Sequence, residues 1–437
     1  MHPSTARASM SLGAVLLAGT LIVGPQIAAG PSSPDPVAST AGAAAVDPLS
    51  ASIADLQQEL EERPDDPEGW ASLGGAYVEQ ARVSADPSYY PKAEGALEKS
   101  LDLQGEDNVA ALSGFGALSN ARHDFEAAAD YARQAQEVNP ESPTSWGVLA
   151  DALIQLGDYD GATAAAQQML DLRPGLASYS RASYDLELHG KKDRAVETME
   201  LALQGAYAPA DVAFCTYYLG QMAFNDGDLE EATEQFERGL AAVPDDPSLL
   251  AGRARVYAAQ GEEKLATTTF DRVVAARPLP DYLVEYGFYL DSLGRTSEAD
   301  EQFATVEAVQ TLFAANGVQD DLTSAHVAAD RGDPQEALKH AEAEWDLRQN
   351  IDAADAMAWA LHRVDRDDEA WEYAVKATAL GGDNALFTYH RGIIEQGLGR
   401  DDEARASLEA ALQTNPYFSP IHAPLARQAL LDLGGTT

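Results

Sequence analysis

The chain has 437 residues, with 29 Lys and Arg against 71 Asp and Glu, a formal net charge of −42 and a single cysteine. A surface this acidic disfavours nucleic acid and anionic lipid, both of which recruit clustered Lys and Arg, so no nucleic-acid partner is expected. The lone Cys215 excludes an intrachain disulfide and a cysteine-rich zinc site, and it reads as a small buried or semi-buried thiol.

Residues 1–29 carry Arg7, an apolar run over 10–23, Pro25 and then Ile27-Ala28-Ala29, the order of a signal peptide with cleavage after Ala29. Taken as one stretch from Met10 to Ala29, the same segment is about 20 residues long and could stay in the chain as a membrane anchor. Either fate exports the protein: it is expected to be secreted, periplasmic or anchored at the outer side of the cytoplasmic membrane. Residues 30–48 are rich in Pro, Ser, Ala and Gly without periodicity and read as a flexible linker. Residues 49–66, with Leu49–Arg63 closed by Pro64, read as a lone capping helix.

From 67 to 418 one alanine returns every 33 to 38 residues: Ala93, Ala128, Ala162, Ala195, Ala232, Ala266, Ala299, Ala337, Ala370 and Ala404. Twelve residues before each stands Gly, Ala or Ser, and four residues after each stands an apolar residue such as Leu97, Phe236, Phe270 or Phe303. Five residues before it a glycine recurs (Gly157, Gly190, Gly227, Gly261, Gly294, Gly332, Gly399), where a helix would end in a left-handed conformation. The unit these marks describe is a helical hairpin, with small residues where its two helices cross. The first unit holds an insertion near Val83–Pro91, and longer joints fall at Ala206–Ala213 and Leu312–Val318. Residues 419–437 read as a C-terminal capping helix and tail.

With Trp70-Leu73-Gly74-Tyr77, and Trp146-Leu149-Ala150 followed by Ala162 and Pro174, the sequence resembles the tetratricopeptide repeat family, whose pattern is W-x2-L-G-x2-Y, then A-x3-F, then A and P. The resemblance implies an all-α fold: a right-handed superhelical solenoid of about ten antiparallel hairpins whose first helices line a concave face. Carried over by the small-residue register, the concave-face candidates are Tyr184, Phe214, Tyr217, Gln221, Phe224, Arg255, Phe288, His326, Trp359, His362 and Tyr389. Free aromatics there would anchor a protein or peptide partner; the alternative is that several of them pack the inner wall. The Lys and Asn set with which chaperone-binding members clamp a carboxylate is missing, since Asp151, Gln221, Arg255, Phe288, Trp359 and Ile393 occupy the asparagine register. The acidic surface favours a neutral or basic partner, unless it is a solubility adaptation to a salty habitat.

No GxxxxGK[ST], HExxH, GxSxG or CxxC motif occurs, so neither an enzyme nor a cofactor is expected. The acids Asp365–Glu369 lack calcium-loop spacing and read as a solvated turn. The expected function is a non-catalytic protein-binding scaffold in the cell envelope. The alternative is an accessory factor for small-molecule or metal handling outside the cytoplasm, using His326, His362 and nearby acids.

Overall fold

The structure, a computed structural model, describes residues 48–435. The expected export segment at 1–29 and all of the linker but Pro48 lie outside the described residues. Those described form 22 helices and no strand. Helix α1 (Pro48–Glu62) opens the array, and ten hairpins follow. They are α2 (Pro67–Ser84) with α3 (Tyr89–Leu103), α4 (Val109–Ala121) with α5 (Phe125–Val138), α6 (Pro143–Leu156) with α7 (Tyr159–Leu172), α8 (Leu176–Leu188) with α9 (Lys192–Gln204), and α10 (Pro209–Asn225) with α11 (Leu229–Ala242). The second five are α12 (Pro247–Ala259) with α13 (Glu263–Ala276), α14 (Pro280–Ser292) with α15 (Thr296–Ala314), α16 (Asp321–Arg331) with α17 (Pro334–Leu347), α18 (Ile351–Arg363) with α19 (Asp367–Ala377), and α20 (Ala385–Gly397) with α21 (Asp401–Thr414). Helix α22 (His422–Asp432) closes the array. No helix among the described residues is long and apolar enough to cross a membrane.

The repeat marks have direct physical roles. Every one of the ten alanines is at most 1% exposed, because a larger side chain would hold the paired helices apart. The seven turn glycines have φ between +68° and +92°, and in two further units His123 and Asp365 take the same position at φ +61° and +60°. Asp or Asn side chains accept the first free amides of many helices, as Asp124, Asp158, Asp228, Asp246 and Asn350 do. Part of the acidic excess therefore caps helices.

At the crossing points the small residue of the first helix receives the apolar residue of the second. A Cβ on Gly220 would stand 2.6 Å from Phe236 Cε1, and Phe236 is itself fully buried. Gly220→Ala is expected to destabilise by about 1–3 kcal/mol, the usual cost of overpacking. Gly75→Ala, on an open face of α2 with nothing within 4 Å of its Cβ, should stabilise by up to about 1 kcal/mol through helix propensity. Denaturant melts of the two variants check both signs.

The solenoid curls far enough to meet itself. The turn inside each of the second to fifth hairpins touches the joint that follows the hairpin five further on: His123 Nδ1 lies 2.6 Å from Gln319 O, Gln155 takes Arg348 and Asn350, Gly190 abuts Gly381, and Asn415 Nδ2 donates to Phe224 O at 2.8 Å. These contacts join residues 191 to 196 apart in sequence. The two turns meet through loops and helix ends, not along helix faces.

Candidate functional site

Curvature this tight decides which inner-wall side chains are accessible. Phe288, at 0% exposure, packs edge-on against Phe303 with ring centres 4.7 Å apart. Trp359, at 2%, donates from Nε1 to Asp330 Oδ1 at 2.8 Å and stacks on His390 at 4.1 Å. Tyr389, at 3%, lies against the rings of Trp359, Phe418 and His422. The expectation that these three present contact surface is corrected: neighbouring hairpins cover them, and they belong to the core. Trp359→Ala is accordingly expected to cost about 3–5 kcal/mol in a thermal or denaturant melt, as for a truncated core aromatic.

His326 is buried, and burial lowers its pKa to about 4. His362 is half-buried and directs Nδ1 to Asp367 Oδ1 at 2.6 Å. The described residues contain no group of three or more His, Cys, Asp or Glu side chains that could hold a metal. Cys215 is fully buried, and desolvation pushes its thiol up to about 12. Phe214 and Tyr217 are half-buried and pack on Tyr218 with ring centres 4.9 and 5.2 Å away.

The remaining candidates Tyr184, Gln221, Phe224 and Arg255 come together on one wall of a cleft between the two turns, with about 120 Å³ of accessible space; Gln221 and Phe224 are themselves buried, and Tyr184 and Arg255 are half-buried. For scale, an engineered cavity of about 150 Å³ holds a benzene ring. A polar ladder crosses four first helices along the inner wall. Arg255 on α12 lies 2.9 Å from Glu285 on α14 and donates to Gln221 on α10 at 2.5 Å. Gln221 in turn donates to Asn225 at 2.9 Å, and Asn225 reaches Glu187 on α8 at 3.4 Å. The Arg255 guanidinium also lies 5.6 Å from the Phe224 ring centre.

The facing wall is built by Ile351, Asp352, Asn384, Phe387, Asn415 and Phe418 from the second turn. None of these was among the sequence candidates. They reach the cleft only because the coil closes after about six hairpins, and residue spacing carries no mark of that pitch. The polar part of the lining has four acids, Glu187, Asp226, Asp352 and Asp383, against Lys192 and Arg255. Burial pushes Glu187 and Asp352, which line the cleft, up to about 7, and outside it pushes Glu285 up to about 7 and Asp281 up to about 8. The Tyr184 hydroxyl is raised well above the ordinary tyrosine value by burial and then by the charges of Asp352 and Glu187, which line the same cleft. Ring faces, amides and carboxylates arranged in this way suit holding a ligand.

Tetratricopeptide repeat family models match residues 121–177 and 185–247, and another matches 223–283. The chain is 25% identical to cellulose synthase operon protein C of Pseudomonas fluorescens over 202 residues, 45% of this chain and 16% of that protein. It is 33% identical to photosystem I assembly protein Ycf3 of a Synechococcus species over 97 residues, 21% of this chain and 56% of that one. The match thus spans about a sixth of the first relative and little more than half of the second. Among solved structures, the human IFIT1 dimer with PPP-AAAA aligns at 15% identity and a TM-score of 0.45, covering 84% of this chain and 87% of that one. The APC/C hetero-tetramer Cut9–Hcn1 aligns at 14% identity and a TM-score of 0.42, covering 88% and 81%.

Proposed function

This chain is a tetratricopeptide repeat protein, and we propose on that premise that it is a non-catalytic scaffold of the cell envelope that holds a segment of a partner protein in the cleft between its two turns. The observation that carries the reading is the convergence of Tyr184, Gln221, Phe224 and Arg255 with a second wall, leaving room for a partner's side chain. Tyr184 is half-buried and presents a ring to that space, which is the amphipathic surface that recurs at binding hot spots. The envelope location rests on the export pattern of residues 1–29. The charge of −42 favours a neutral or basic partner and speeds encounter with a basic one at low salt.

Two measurements test the reading. Fractionation of cells making the full chain should place it outside the cytoplasm, and recovery in the cytosol alone would overturn the location. Cross-linked capture from an envelope fraction should recover a partner with the parent chain and at least tenfold less with Tyr184→Ala of unchanged helicity. Equal capture by both would remove the cleft from the function.

A further inference from the structure

We infer that the cleft receives the side chain of an arginine or lysine of the bound partner segment, its aliphatic stem against Phe224 and Phe387 and its cation between the carboxylates of Glu187 and Asp352. The inference rests on the scaffold reading and names the chemistry of what that scaffold holds.

The cations already in the cleft are committed. Lys192 is paired with Asp226 and lies 3.6 Å from Asp383, while Arg255 is held by Glu285 and Gln221. Arg348, the cation that acts on Asp352, is engaged with Glu344 and Gln155. Glu187 and Asp352 line the same cleft from opposite turns and are in no ion pair among the described residues; Glu187 accepts only a long hydrogen bond from Asn225, at 3.4 Å. Two half-buried carboxylates without a counter-ion, beside an apolar wall, are electrostatically complementary to one cation on a hydrocarbon stem.

The wall already accepts such a group from within the chain, since the Arg255 guanidinium sits over Phe224. Burial holds both carboxyls at about 7, so a cationic guest should lower their pKa values and drive protons off on binding. The other charged groups that act on them are Asp226 and Lys192 at Glu187, and Arg348, Asp355 and Glu344 at Asp352.

The test is calorimetric titration of the full chain at pH 7 with the capped peptide acetyl-Ala-Leu-Arg-Ala-amide, with its citrulline counterpart, and with agmatine. The arginine peptide is expected to bind at least tenfold more tightly than the citrulline peptide, with proton release read from two buffers of different ionisation enthalpy. The E187Q/D352N double variant should lose that preference while melting no lower than the parent, since it removes two half-buried carboxylates that are in no ion pair. Equal affinity for the two peptides, or an unchanged preference in the double variant, would overturn the cation site. Agmatine binding as tightly as the peptide would overturn the partner assignment in favour of a small free cation. If no peptide binds while Tyr184-dependent capture persists, the cation site fails and the scaffold reading stands; if capture is absent as well, both fail.

Discussion

Replacing Arg348 with alanine is expected to part the two turns of the coil. Arg348 is 4% exposed and pairs with Glu344, which is 0% exposed on the same turn. It also reaches across to Gln155 at 2.5 Å and lies 5.2 Å from the Phe125 ring centre. Removing it leaves the Glu344 carboxylate buried without its cation, a loss of about 3–5 kcal/mol for pairs of this kind. It also deletes a buried contact between turns that otherwise meet through loop ends. An interface made of loop hydrogen bonds and little apolar area sits at the low end of local stability, so one such loss should open it. The expected result is a larger radius of gyration by small-angle scattering and faster amide exchange at residues 155–159 and 349–352, with the helices retained. The double variant R348M/E344Q removes the stranded charge together with the cross-turn bond, so it should recover most of the melting temperature while the coil stays open. An unchanged radius in both variants would mean that the remaining contacts, among them Ile351 N to Tyr159 Oη at 2.8 Å, hold the seam without Arg348.

The hairpins were legible because their determinants are local and periodic. Ala232 with Gly220 twelve residues before it and Phe236 four after states the crossing of two helices without reference to anything distant. The left-handed turn was legible where it is glycine and was missed at His123 and Asp365, where a non-glycine residue takes the same backbone conformation. The expected insertion at Val83–Pro91 lengthens the first turn less than it suggests, since Tyr89 and Tyr90 already begin α3. The inner-wall register identified which face of each first helix turns inward, yet not how tightly the array curves. Curvature sums small rotations between successive hairpins, and that sum buries Phe288, Trp359 and Tyr389 while it leaves Tyr184 half open. The second wall of the cleft depends on the same sum. Asn415 meets Phe224 across 191 residues, and neither residue carries a feature that announces the other.

Stability should fall as the pH rises from about 5 to 8, the reverse of what paired carboxylates produce. Burial raises Asp281 to about 8 and Glu187, Glu285, Asp352 and Asp355 to about 7, against roughly 4 for carboxyls in the unfolded chain. Between those values the folded state binds more protons than the unfolded one, so stability is lost as pH climbs through the folded pKa values. His123 and His326 are lowered to about 4 and His390 well below its usual value, which favours the folded state at high pH and costs stability as pH falls below roughly 6.5. Above pH 6.5 the raised carboxyls dominate, with Asp151, Asp211, Asp291 and Glu344 shifted in the same direction. From 6.5 to 5 their extra protons in the folded state still outnumber the three on unfolded histidines, so stability keeps rising on acidification. Near pH 4 the unfolded carboxyls take up their own protons and the sign reverses. Repulsion within a chain of net charge −42 acts in the same direction as the carboxyls.

Thermal melts at pH 5, 6.5 and 8 and constant ionic strength should therefore give the highest midpoint at pH 5 and the lowest at pH 8. Asp281 is the sharpest single probe, because its Oδ1 is buried with no hydrogen-bond partner. Asp281→Asn should stabilise by about 1–3 kcal/mol at pH 8, the order of the penalty for an unsatisfied buried polar group, and should change little at pH 5. A variant that melts lower than the parent at pH 8 would show that the Asp281 charge is compensated from the inner wall, and would move the pH dependence onto Glu187 and Asp352 at the cleft.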